Sequence, residues 1–163
     1  MLAPQQIRTF FITAVTWQRR PIFRAEPMAQ LFLDTLQRYR SQRKFLLHEF
    51  VLMPDHFHLL LTPAPEVSLE KAVQLVKGGF SFRVKKELGS NLEVWESGYT
   101  EHRAKDSSDC ERHVDYIREN PVRAGLAETA GAYPYGSAFR KLEIDPIPPW
   151  LKPSSERALV SPR

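Results

Sequence analysis

The chain has 163 residues, 42% hydrophobic and 26% charged, ordinary values for one soluble domain with enough aromatic side chains (11%) to fill a core. Its net charge of +4 and pI near 9.3 favour a polyanionic partner such as nucleic acid. The single cysteine, Cys110, excludes an internal disulfide or a multi-cysteine zinc site and fits a reducing, cytoplasmic setting, and no apolar run is long enough to span a bilayer.

Residues 8–17, rich in Phe, Ile, Val, Thr and Trp, predict a first strand. From Pro27 to Arg43, Met28, Leu31, Phe32, Leu36 and Tyr39 recur at helical spacing, with Arg38, Arg40 and Arg43 near the end, where cations suit the dipole. Residues 45–52 predict a second strand, Pro54-Asp55 a tight turn in which Asp55 is only a turn residue, and residues 56–62 a third strand ended by Pro63 and Pro65. Ser68 caps a helix that runs to Leu88, where Gly89-Ser90-Asn91 breaks it. Leu92 to Trp95 and Gly98 to His102 read as extended.

Strand, helix, strand, strand, helix, strand is the split βαβ, ferredoxin-like order of an α+β domain: a mostly antiparallel sheet with helices on one face. A further helix opens at the capping box Ser108-Asp-Cys-Glu111 and stops at Asn120, before Pro121. Pro121 to Gly125 reads as a separate short turn. From Asp145 onward prolines and charge show no period, predicting a domain over 1–144 and a loosely ordered tail over 145–163.

The chemistry begins at His56-Phe57-His58. Side chains alternate along a strand, so the two imidazoles share one face while Phe57, Leu59 and Leu61 enter a core. In the last helix Cys110, Val114 and Ile117 form an apolar stripe, and Tyr116 and Asn120, four residues apart, stack on its flank. Laid across the open sheet face, that helix holds Tyr116 and Asn120 over the histidine pair. Two imidazole nitrogens and an amide oxygen make three ligands for a divalent ion, with room for water and a phosphate oxygen. The phenol is a candidate nucleophile that needs a nearby cation or base, its ordinary pKa being about 10. Each residue alone has a plainer reading: a hydrogen-bonded surface pair, a packing tyrosine, a helix-terminal asparagine. Lys71, Lys77, Arg83, Lys85 and Lys86 along the second helix, with Arg103 and Lys105 beyond it, are either a solvated face or phosphate contacts. Trp17 and Tyr99 are packing residues or base-stacking platforms.

Val51-Leu-Met-Pro-Asp-His-Phe-His-Leu-Leu61 and Tyr116-Ile-Arg-Glu-Asn-Pro-Val-Arg-Ala-Gly-Leu126 resemble the two signatures of the REP-associated tyrosine transposases, which are single-tyrosine HUH (His-hydrophobe-His), insertion-sequence-200-like enzymes. The likeness runs from Arg8 to Phe139 and takes in Tyr133-Pro-Tyr-Gly-Ser137. It implies His56, His58 and Asn120 as ligands of Mg²⁺ or Mn²⁺, and Tyr116 as the nucleophile. It further implies cleavage and rejoining of single-stranded DNA beside hairpin repeats through a 5′-phosphotyrosine, in a monomer or homodimer. The chain departs from the pattern at Arg118, where the family often has His, at Asp55, where Asn is common, and in Trp95 to Tyr99, which lacks basic residues. Arg118 joins the candidate DNA contacts. A non-catalytic hairpin-binding protein of the same fold, and a phosphoesterase that activates water, stay open as alternatives.

Overall fold

Alternation along one strand decides the architecture. In a computed structural model, which describes residues 7–153, Phe57, Leu59 and Leu61 enter one core while Leu60 enters a second core on the other side of the sheet. His56 and His58 share the side of Leu60. The strands are β1 (Phe10–Val15), β2 (Phe45–Met53), β3 (His56–Pro63) and β4 (Thr100–Arg103), in the order β2-β3-β1-β4 with every neighbouring pair antiparallel. This is the ferredoxin-like order that the sequence predicts, with β3 splitting β1 from β2.

Helices α1 (Glu26–Ser41) and α2 (Leu69–Leu88) cover one face, burying Phe32, Leu36, Val76 and Phe80 with Ile12, Phe57 and Leu59. Each such fully buried side chain contributes about 1.5–3 kcal/mol of transfer free energy. The third helix, α3 (Ser107–Arg123), covers the opposite face, where Cys110 and Ile117 are buried with Val51, Met53 and Leu60. A bulge between Leu47 and Glu49 shifts the phase of the alternation along β2. Leu47 and Phe50 both reach the first core, while the buried Glu49 meets α3.

Most element ends follow the sequence. Ser68 accepts the Lys71 N–H at 3.0 Å, and Gly89 ends α2 at φ +66°. The start of α3 differs: its cap is Asp106, whose carboxylate accepts the Asp109 N–H at 2.8 Å, rather than Ser108. Its end differs too, since α3 runs through Pro121 to Arg123 instead of stopping at Asn120. Proline sits in the final turn, where one missing N–H is tolerable. The carbonyls of Asn120 and Pro121 still accept from Ala124 (3.0 Å) and Leu126 (2.8 Å), and Gly125 at φ +74° terminates the run. Leu92 to Trp95 makes no strand, only a bridge from Trp95 to Thr16.

The stretch from Asp145, expected to be loose, is packed as far as residue 153. The Asp145 carboxylate accepts from Arg40 (3.0 and 3.1 Å) and from the Leu47 N–H (2.8 Å), and Leu151 is buried in the second core. Residues 154–163 of that expectation lie outside the described residues. Upstream, Tyr133 donates to the Leu52 carbonyl at 2.6 Å, Leu52 donates to the Tyr135 carbonyl at 2.8 Å, and Gly136 bridges Val51. These contacts cover the outer edge of β2. No helix among the described residues is long and apolar enough to cross a membrane.

Candidate active site

The ladder sets the histidines. Thr13 stands opposite His58 in the β1–β3 register, its hydroxyl 2.7 Å from His58 Nδ1. Asp55, in the turn before β3, lies 2.7 Å from His56 Nδ1 through Oδ1 and 3.3 Å from Arg19 through Oδ2. An ionised carboxylate only accepts, so His56 Nδ1 donates to Asp55 and Nε2 is left clear of that bond. Partial burial pushes the Asp55 carboxyl up, but His56 and Arg19 outweigh it and hold the group below its ordinary value. Asp55 therefore orients an imidazole, beyond the turn role assigned from sequence.

His58 is buried, and its Nε2 has no hydrogen-bond partner among the described residues. Burial, followed by the nearby His56 and Arg123 charges, pushes its pKa down to about 3, so the ring is neutral at pH 7. A neutral, buried, unpartnered nitrogen beside a second oriented imidazole fits a divalent cation.

From the other side α3 brings Tyr116 and Asn120. The Tyr116 ring lies edge-on to His58, centroids 5.2 Å apart, and is 45% exposed. Its hydroxyl makes no hydrogen bond to another described residue. Arg123, two turns on, sets its guanidinium 4.7 Å from the Tyr116 ring centroid and donates to the Tyr116 carbonyl at 3.4 Å. Phe11 stacks between His58 (5.2 Å) and His113 (4.6 Å). His56, His58, Tyr116 and Asn120 line one open depression of roughly 660 Å³, together with Phe11, Thr13, Arg19, Arg112 and His113.

The other basic candidates divide by what they touch. Arg118 binds the buried Glu49 through two nitrogens (2.6 and 3.2 Å), and Ser137 donates to the same carboxylate. Arg83 is held by Asp34 (2.8 Å), Glu87 (2.6 Å) and Thr35 (2.9 Å). Lys77 donates to the carbonyls of Gly98 (2.6 Å) and Glu96 (3.1 Å). These three cations fasten the fold, whereas Lys71, Lys85, Lys86 and Arg103 are exposed. Tyr99 packs against the first core, and Trp17 is 37% exposed. The cations lining the depression, Arg19 and Arg112, and Arg123 on the Tyr116 ring are not among the sequence candidates. Arg123 lies seven residues after Tyr116, so it shares the tyrosine's face once the helix continues through Pro121.

A second donor group, His102, Asp109 and His113, lies beyond Phe11, its ligand atoms within 4.8 Å of one another. Burial pushes the Asp109 carboxyl up, but the Lys105 N–H and then His102 and His113 bring it below its ordinary value. Burial lowers His113.

The α+β fold carries a family match that makes it a transposase-type domain, a DNA-processing class. The chain belongs to the family described as "Transposase IS200 like", whose model matches residues 8–120. It is 31% identical over 108 residues to a Haemophilus influenzae (strain KW20 / Rd) protein provisionally named a REP-associated tyrosine transposase, the match covering 60% of this chain and 61% of that protein. It is 22% identical over 142 residues to the REP-associated tyrosine transposase of Escherichia coli K12, covering 83% of each. Its fold superposes with a TM-score of 0.69, at 24% identity, on a REP-associated tyrosine transposase solved bound to a REP hairpin, covering 82% of this chain and 78% of that one.

Proposed function

We propose that the chain is a metal-dependent transposase that cleaves and rejoins single-stranded DNA beside hairpin repeats through a 5′-phosphotyrosine on Tyr116. The observation that carries this reading is the exposed Tyr116 phenol beside His58, whose buried Nε2 lacks any partner. In this reading His56, His58 and Asn120 would hold a Mg²⁺ or Mn²⁺ ion, which would polarise the scissile phosphate.

The chain's own groups do the remaining work. Asp55 and Thr13 fix the two imidazoles so that both present Nε2. The Arg123 guanidinium packs on the Tyr116 ring, and the phenol's proton leaves to solvent at its exposed oxygen. That oxygen attacks phosphorus, the bond to the 3′ oxygen breaks, and a free 3′-hydroxyl leaves. The reverse attack by a 3′-hydroxyl releases Tyr116 and rejoins DNA, so the covalent link conserves the energy and no nucleotide is consumed. Arg19 and Arg112 on the rim offset charge on the phosphate.

For DNA beyond the depression, Lys71, Lys85, Lys86 and Arg103 remain as phosphate contacts, and Lys77, Arg83 and Arg118 are left out because of their internal partners. One copy supplies all four central side chains, so the site in this reading needs no second subunit. A buried single thiol and a DNA substrate fit the cytoplasm.

The test is incubation with labelled, hairpin-flanked single-stranded DNA and Mn²⁺. A protein-linked product, absent in Tyr116→Phe with hairpin binding retained, supports the reading. Binding without an adduct in the wild type contradicts it, as does cleavage that survives Tyr116→Phe.

A further inference from the structure

The donor group beyond Phe11 is separate from the histidine pair. His102 comes from β4, while Asp109 and His113 come from the first turns of α3. His102 Nε2 is 3.2 Å from Asp109 Oδ2, and His113 Nε2 is 3.6 Å from Asp109 Oδ1. Donors around a tetrahedral Zn²⁺ stand about 3.4 Å apart, given bonds of about 2.0–2.1 Å. Side chains at these separations need only small rotations to close on one ion.

The independent observation is His113 Nε2 itself. It is buried and has no hydrogen-bond partner, Asp109 being too far away to provide one. Among the described residues, three buried side-chain polar atoms are in this state, and the other nitrogen among them is His58 Nε2. The same signature therefore marks both histidine clusters, on either side of the Phe11 ring.

We infer that His102, Asp109 and His113 bind a divalent transition-metal ion of the Zn²⁺ class, with water at the fourth position on the exposed side of His102. Two imidazoles and one carboxylate select such an ion over Mg²⁺, which prefers six oxygens. Before binding, His102 donates to Asp109. The ion takes the place of that proton, which passes to solvent. Arg112, now 2.9 Å from Asp109 Oδ1 with a side chain 69% exposed, swings into water, while the Lys105 N–H (3.1 Å) keeps Oδ2 aimed.

The role is structural. β4 is a four-residue edge strand with every residue exposed, and the His102–Asp109 contact joins it to α3. An ion here clamps that edge to the helix whose Tyr116 lies one turn past His113. This site stands whether or not Tyr116 is a nucleophile.

The experiment uses the full chain carrying His56→Ala and His58→Ala, so that the first cluster cannot contribute. After chelator treatment it is titrated with Zn²⁺ by calorimetry and followed by thermal unfolding, with Co²⁺ absorption reporting tetrahedral geometry. The expected result is one equivalent bound with a raised Tm. Adding His102→Ala, at an exposed position, should weaken binding by at least about 100-fold, beyond the loss from removing an outer-shell partner. Failure of Zn²⁺ to bind, or binding that His102→Ala leaves unchanged, overturns the inference. If the double variant does not fold, the same count is made on the wild type. Two equivalents falling to one in His102→Ala support the site, and a stoichiometry that His102→Ala does not alter overturns it.

Discussion

Asp55 offers the sharpest test of how the histidine pair is prepared for a cation. Its carboxylate lies 2.7 Å from His56 Nδ1, and no other described group competes for that nitrogen. Removing an outer-shell partner of this kind lowers metal affinity about 10–100-fold, or about 1.4–2.7 kcal/mol. The same carboxylate pairs with Arg19, whose side chain is 63% exposed, so the stability lost with that pair is at most about 1 kcal/mol. Asp55→Ala should therefore weaken Mn²⁺ binding by one to two orders of magnitude with little change in Tm. Asp55→Asn keeps an oxygen that accepts from Nδ1, preserves the tautomer, and should lose less than about tenfold. Calorimetric Mn²⁺ titration of the three metal-free proteins, paired with thermal melts, gives both quantities. Unchanged affinity in Asp55→Ala, or equal damage from Asn and Ala, would refute the orienting role.

Other side chains give independent checks. Arg118→Ala strands the Glu49 carboxylate in the interior and should cost about 3 kcal/mol by denaturant melts; Glu49→Gln frees an Arg118 that is 46% exposed and should cost about 1 kcal/mol. A DNA-affinity defect in Arg118→Ala at unchanged stability would instead make it a phosphate contact. Burial holds His48 below its ordinary 6.5 despite Asp145, so the unfolded chain takes up its proton first on acidification. Metal-free protein should lose stability as pH falls below about 6.5, by at most about 1.36 kcal/mol per pH unit per such histidine, and His48→Gln should flatten the slope measured between about pH 7.5 and about pH 5.5. Arg123→Gln removes the cation packed over the Tyr116 ring and should slow adduct formation about tenfold at unaltered Tm.

Much of this molecule is legible in its sequence because the signals are local. The period-two run from His56, the Ser68 cap and the Gly89 stop fix β3 and α2 without reference to anything distant. What escapes is non-local or depends on one boundary. Thr13 is invisible as a partner of His58 until the strand register sets them opposite each other, and Asp145 looks like tail until Arg40 is brought alongside. Ending the last helix at Pro121 hides Arg123, because a residue outside the helix has no assignable face. The basic stripe on α2 is ambiguous for another reason: composition cannot tell a cation facing water from Arg83, whose charge is taken up by Asp34 and Glu87.

Peptide mapping of the covalent protein–DNA product reaches the central claim most directly. After nuclease trimming and proteolysis, mass spectrometry should find a nucleotide phosphate on Tyr116 alone, through the DNA 5′ end, with a matching free 3′-hydroxyl on the released strand. A nucleotide on any other residue, or cut DNA bearing a 5′-phosphate with no protein attached, would contradict it.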